Sequence, residues 1–203
     1  MQAFDQKART WDDNPIHHER SQAIATLLLE RIPIAPSMKA LEMGAGTGIL
    51  SFLLKDKFQK IVLMDSSPEM IRVSQEKIVQ QKVTNLFPVL CDLEKENFHT
   101  EAFDVIFSQM VFHHITDIEA MARKLYGMLK EGGYIAIADL YPEDGSFHGE
   151  HFEVHKGFDA DAFCKIFESA GFKDLHHEPC YTIRRKTEKG EQEFPIFLMT
   201  GKK

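Results

Sequence analysis

Three carboxylates and three glycines carry the first chemical signal in this chain. Glu42 stands in the apolar run Lys39-Ala-Leu-Glu-Met43, Asp65 ends Ile61-Val-Leu-Met64, and Asp92 follows Leu86-Phe-Pro-Val-Leu90. Between the first two lies Gly44-Ala-Gly-Thr-Gly48. Alternate glycines allow positive φ and leave no Cβ between the backbone and whatever rests on it. A helix opening after Gly48 turns free N–H groups toward the same space. The spacing excludes two familiar turns. A dinucleotide turn would be Gly-x-Gly-x-x-Gly, and Ile49 occupies the place of its third glycine; an ATP loop needs a lysine that the turn lacks. A carboxylate just ahead of the first glycine repels phosphate and suits a ligand carrying an ammonium or hydroxyls.

These residues need a frame. Residues 61–64, 86–90, 103–107 and 134–138 join the run through Met43 as five buried strands, with helical periodicity between them. Ile24, Leu27 and Leu28 share one helical face, stopped by Pro33 and Pro36. Ser67-Pro68-Glu69 opens a helix with a capping hydroxyl, a first-turn proline and an acid at the positive dipole end. Ile118, Met121, Ala122, Leu125, Met128 and Leu129 predict a helix ended by Gly132-Gly133. Phe163, Ile166, Phe167 and Ala170 predict another, closed by Gly171. Pro88 removes a ladder donor, so the third strand belongs at a sheet edge. Two β-like runs at 179–184 and 194–199, joined by a charged turn, must be antiparallel to each other. The expected fold is α/β: a doubly wound, mostly parallel seven-stranded sheet with an antiparallel C-terminal strand pair. Ligands of such sheets sit beyond the carboxyl ends of the strands. Those ends carry Glu42 with the glycine turn, then Asp65, then Cys91-Asp92-Leu93, then Ser108-Gln109-Met110.

The chain has 203 residues, 43% hydrophobic and 27% charged, which suits one domain with a substantial core. Its formal charge of −7 argues against a dedicated nucleic-acid binder. Cys91, Cys164 and Cys180 are odd in number, share no metal-like spacing and read as reduced thiols of a cytoplasmic protein. No apolar leader region and no bilayer-spanning run is evident, so no membrane association is expected.

The turn Glu42-Met-Gly-Ala-Gly-Thr-Gly48 resembles the first motif of the class I S-adenosylmethionine-dependent methyltransferases, and Asp65-Ser-Ser-Pro-Glu-Met70 and Cys91-Asp-Leu93 look like the second and third. The resemblance spans roughly residues 37–140. It implies a Rossmann-like methyltransferase fold with S-adenosylmethionine as cofactor and S-adenosylhomocysteine as product. In that reading Glu42, Gly44, Ala45, Gly46 and Gly48 cradle the cofactor, and Asp65 with Ser66 accepts the ribose hydroxyls. Asp92 and Leu93 meet the adenine, Met70 packs beside it, and Ser108 and Gln109 border the methyl. Asp65 and Asp92 also suit simple turn caps, and Met70 suits plain core. The chain divides into an N-terminal lid and helix (1–36), a cofactor-binding core (37–140) and an acceptor-side portion (141–203).

The family resemblance extends to Gln109-Met-Val-Phe-His-His-Ile-Thr-Asp117. There His113 or His114 acts as a base or orients the acceptor, or else one packs on the loop while the other faces solvent. The nucleic-acid amino-methyltransferase motif, the paired glutamates of arginine methyltransferases and the magnesium-holding acid of catechol-type enzymes are all missing from this position. The acceptor is therefore expected to be a small molecule, and the chain a monomer or weak homodimer. Phe4, Lys7 and Trp11-Asp-Asp-Asn14 resemble a segment that covers the cofactor, with Trp11 as part of a lid. His148, Glu150, His151, Glu153 and His155 crowd the loop after the fifth strand. As a metal site their spacing is suggestive but loose and a flexible polar loop is the reading preferred, so no metal is expected, and His148, His151 and His155 remain acceptor-side candidates. Arg184-Arg-Lys186 with Lys189 reads as a solvated hairpin. A nucleotide-dependent oxidoreductase and a non-catalytic S-adenosylmethionine binder are the alternatives.

Overall fold

The computed structural model describes residues 2–98, 102–148, 155–187 and 190–203; Glu150, His151, Glu153 and Lys189 lie outside them. Seven strands form one sheet: β1 (Lys39–Met43), β2 (Lys60–Asp65), β3 (Leu86–Leu90), β4 (Phe103–Gln109), β5 (Leu129–Leu140), β6 (Lys173–Thr187) and β7 (Gly190–Lys202). Their order is β3-β2-β1-β4-β5-β7-β6. The first five are parallel, while β7 runs antiparallel to both β5 and β6. The order reverses at β1, between β2 and β4, which puts the glycine turn at the switch point where open α/β sheets take their ligands. Among the described residues six α-helices pack around the sheet: α1 (Gln2–Lys7), α2 (Pro15–Arg31), α3 (Ile49–Leu54), α4 (Pro68–Gln80), α5 (Ile118–Met128) and α6 (Ala160–Ser169).

Strand parity divides the core. Ala40, Val105, Phe107, Ala136 and Ala138 face one side of the sheet, against Ile24 and Leu28 of α2 and Leu50 and Leu54 of α3. Leu41, Met43, Ile106, Ile135 and Ile137 face the other, against Met121 and Leu125 of α5 and Phe163 and Phe167 of α6. Alternate residues of a strand point to opposite faces, so both layers are written into the same five-residue runs. Local chemistry starts the helices. Asn14 accepts from the Ile16 N–H with Pro15 opening α2, and the Ser67 hydroxyl accepts from the Met70 N–H with Pro68 opening α4.

Pro88 sits on β3, which is an edge strand. Two boundaries differ from the sequence expectation. Helix α5 stops at Met128, and Leu129 already pairs with Phe103 as strand. Gly132-Gly133 therefore forms an irregularity in β5, where the register shifts between Phe103 and Val105. Glycine serves a bulge as well as it serves a helix end. The closing hairpin is also longer than its apolar runs, because polar residues continue the antiparallel ladder at both ends.

Candidate active site

The glycine turn is held by its neighbours. The Ala45 N–H donates to the Met64 carbonyl at 2.9 Å and the Gly48 N–H to the Ala45 carbonyl at 2.8 Å. Gly44, Gly46 and Gly48 all take positive φ, at 66°, 56° and 84°. Their surroundings differ. A Cβ on Gly44 would overlap the Val111 side chain, and one on Gly48 would lie 2.6 Å from Leu63 Cδ2. A Cβ on Gly46 would meet only Met70 Sδ, at 3.8 Å. Gly44 and Gly48 are thus glycines for packing, whereas Gly46 borders a hollow. This side-chain-free cradle fits the adenosyl and sulfonium portions of the cofactor that the motifs imply.

Asp65 points at the turn. Its Oδ2 accepts from the Gly46 N–H at 2.7 Å and its Oδ1 from the Ser67 N–H at 2.8 Å. Burial pushes its carboxyl above the usual range, against the pull of those N–H groups. A carboxylate has about four lone-pair sites, and with the Ser66 N–H also acting on it acceptor capacity remains for a hydroxyl. Ser66 is exposed beside it.

Glu42 lies beneath the turn. It shares the strand parity of Ala40, so its side chain enters the α3 layer, and it is fully buried. Its Oε2 accepts the Ser51 N–H at 3.1 Å and the Ser51 hydroxyl at 2.5 Å, while Oε1 has no hydrogen-bond partner among the described residues. Burial raises its pKa to about 8, the Ser51 hydrogen bonds opposing. In this conformation Glu42 ties β1 to α3 through Ser51. Met70, 2% exposed, also supports the turn from inside. Asp92 binds its own turn, through Lys95 Nζ at 2.7 Å and the Glu94 N–H at 3.1 Å, and Leu93 is buried. The Lys95 contact holds the Asp92 carboxyl below its ordinary value.

The end of β4 supports more than it exposes. The Ser108 hydroxyl donates to the Met43 carbonyl at 2.9 Å, and Gln109 Oε1 accepts from the Ser21 hydroxyl of α2 at 3.0 Å. Met110 then takes φ of 57°, a conformation non-glycine residues rarely adopt. The bend carries Val111 onto Gly44 and leads into the short 3-10 turn Phe112–His114.

His113 is buried, and its Nδ1 lies 2.7 Å from Oδ1 of the equally buried Asp139 at the end of β5. With the carboxylate as acceptor, Nδ1 carries the proton and Nε2 keeps its lone pair. Arg20 of α2 is buried within the electrostatic reach of Asp139, and its Nε has no hydrogen-bond partner among the described residues. The ring centroids of His113, His114 and His148 are 4.2 to 5.0 Å apart. Burial, then the neighbouring His113, lowers the pKa of His114 to about 3 and that of His148 to about 4. Such a His114 is a poor match for a base working near neutrality. His155 is fixed by its Nε2 contact to the Ile115 carbonyl and by its N–H donating to the His113 carbonyl at 2.8 Å.

The N-terminal segment latches over both ends of this site. The Ser67 hydroxyl donates to Asp5, and the Thr47 hydroxyl donates to Asp12, each at 2.5 Å. Lys77 Nζ donates to Asp12 at 2.5 Å and to the Thr47 carbonyl at 3.0 Å. Phe4 stands edge-on to His114, with ring centroids 5.3 Å apart. Trp11 stacks on His17 at 4.2 Å, so its ring is engaged within the segment itself. Sequence reasoning overlooked the roles of Asp5, Asp12, Thr47, Lys77, Arg20 and Asp139. Reading strand ends one strand further finds Asp139; the latch leaves no comparable local signal.

The chain is similar to known proteins in sequence and in fold. The family model described as Methyltransferase domain matches residues 41–137. Phosphoethanolamine N-methyltransferase 1 of Arabidopsis thaliana is 27% identical over 181 residues, covering 84% of this chain and 37% of the plant protein. A Schizosaccharomyces pombe protein described as an uncharacterized methyltransferase is 30% identical over 154 residues, covering 68% of this chain and 54% of its own length. The chain thus spans only 37% and 54% of the length of these relatives. In a complex between the Haloferax volcanii Trm112 methyltransferase activator and a methyltransferase, one chain superposes with a TM-score of 0.80 at 18% identity, covering 98% and 96% of the two chains. The N-methyltransferase NodS of Bradyrhizobium japonicum, in complex with S-adenosylhomocysteine, superposes with a TM-score of 0.73 at 16% identity, covering 99% and 96%. At such identities the structural likeness is one of fold. The sequence matches and the motifs place residues 41–137 in the class I S-adenosylmethionine-dependent methyltransferase family. S-adenosylmethionine is the cofactor of that family.

Proposed function

We propose that this chain transfers the methyl group of S-adenosylmethionine to a small-molecule acceptor in the cytoplasm, as a monomer or weak dimer. The observation that carries this reading is the open, Cβ-free face at Gly46, with the Asp65 carboxylate turned onto it. Gly44, Ala45 and Gly48 shape the cradle. Asp65 and Ser66 serve the ribose, Asp92 and Leu93 border the adenine, and Trp11 belongs to the covering segment. Glu42, Met70, Ser108 and Gln109 act by holding this surface in place. The cofactor supplies an electrophilic methyl on a sulfonium. The protein's task is to align the acceptor and exclude water, and the latched segment around Asp5 and Asp12 suits exclusion. His113, oriented by Asp139, helps to hold the acceptor in line with the methyl. The phosphoethanolamine N-methyltransferase relatives make a small amine one acceptor class to try first.

Incubation with methyl-labelled S-adenosylmethionine and a fractionated metabolite extract tests the proposal. A labelled small molecule supports it. Tight S-adenosylhomocysteine binding without any methylated product would favour a non-catalytic binder, and tight NAD binding without stabilisation by S-adenosylhomocysteine would favour an oxidoreductase.

A further inference from the structure

The sequence places His113 and His114 after β4 and His148 in the loop after β5, and their spacing gives no sign that they meet. In the fold one ring nitrogen from each comes within 4.8 Å of the others. We propose that these three histidines bind one divalent transition-metal ion. Zinc–imidazole bonds of about 2.0–2.1 Å put tetrahedral ligand nitrogens roughly 3.4 Å apart. Closing the observed triangle therefore asks for shifts of about 1 Å, within reach of side-chain rotation. Asp139 supplies the outer support such sites use. It holds His113 through Nδ1 at 2.7 Å, which leaves Nε2 as the ring nitrogen free to bind the ion. Phe4 against His114 and Phe147 against His113, both edge-on, restrict the rings further. An all-imidazole set selects zinc, cobalt, nickel or copper over magnesium or calcium, which require oxygen ligands. Three protein ligands leave a fourth position for water or for a heteroatom of the acceptor. Only that last use rests on the methyltransferase reading.

The test uses the untagged full chain without cofactor or acceptor. Equilibrium dialysis against zinc, with metal analysis, should give one ion per chain. Cobalt substitution should give the visible absorption of a four-coordinate nitrogen site. His114→Ala and His148→Ala, each checked for folding by circular dichroism, should weaken cobalt binding at least tenfold, while His176→Ala, a substitution of an exposed histidine, leaves it unchanged. No stoichiometric ion, or binding that survives both His114→Ala and His148→Ala, overturns the proposal. Because the readout is the metal alone, its failure leaves the methyltransferase reading standing. Loss of S-adenosylhomocysteine binding would remove that reading and leave the metal site intact.

Discussion

The two ends of the site are built in different ways. The proposed cofactor end comes mainly from residues 42–70, from Glu42 through the glycine turn to Asp65 and Met70, and its contacts are mostly backbone to side chain. The proposed acceptor end is assembled from Arg20, His113, Asp139 and His148, on four separate elements or loops. A surface made of glycines and capping groups recognises one ligand and tolerates little change. A surface of side chains from distant segments can vary its acceptor while the sheet stays the same.

Breaking the cofactor end should separate packing from binding. Gly44→Ala drives a methyl into Val111 at positive φ and should cost about 3 kcal/mol of stability, read by urea unfolding, with part restored in Gly44→Ala/Val111→Ala. Gly46→Ala meets only Met70 Sδ, at an ordinary contact distance. It should cost only about 1 kcal/mol for its backbone conformation, yet lower S-adenosylhomocysteine affinity at least tenfold by calorimetry. Equal effects on stability and binding at both positions would erase the distinction.

Glu42 sharpens the comparison through pH. Its folded pKa is raised, to about 8 from 4.5, so the native state holds a proton that the unfolded chain releases. Its contribution to stability is full below about pH 4.5, falls as pH rises, and is lost above about 8. Glu42→Gln should flatten that part of the pH–stability curve by a few kcal/mol at most. An unchanged slope would mean that Glu42 is not the buried acid responsible.

The smallest effect belongs to the latch. Asp12 and Lys77 are partly exposed, at 30% and 18% of their side chains, so an Asp12→Ala/Lys77→Ala double-mutant cycle should show coupling of only about 1 kcal/mol. Trp11 is the single tryptophan, and its fluorescence should change when S-adenosylhomocysteine enters beneath the segment. Constant fluorescence would remove the lid from the account.

What the sequence made legible is what short-range chemistry decides. Pro88 at an edge, the Ser67 cap and the antiparallel closing pair all follow from residues near one another in the chain. Gly132-Gly133 misled because glycine suits a helix end and a strand irregularity alike, and pairing with β4 decided between them. The partner of Glu42 was not legible either: strand parity turns its side chain into the α3 layer, onto Ser51. The His113–Asp139 pair and the meeting of His113, His114 and His148 depend on which strands become neighbours, and no local pattern records that.

The central claim is that Asp65, turned onto a side-chain-free bend, holds the adenosyl group without a phosphate anchor. Calorimetric titration of S-adenosylhomocysteine into the native chain and into folded Asp65→Lys tests it directly. One molecule bound per native chain, with at least a tenfold loss in the variant, is the predicted result. Full-strength binding by the charge-reversed chain would contradict it.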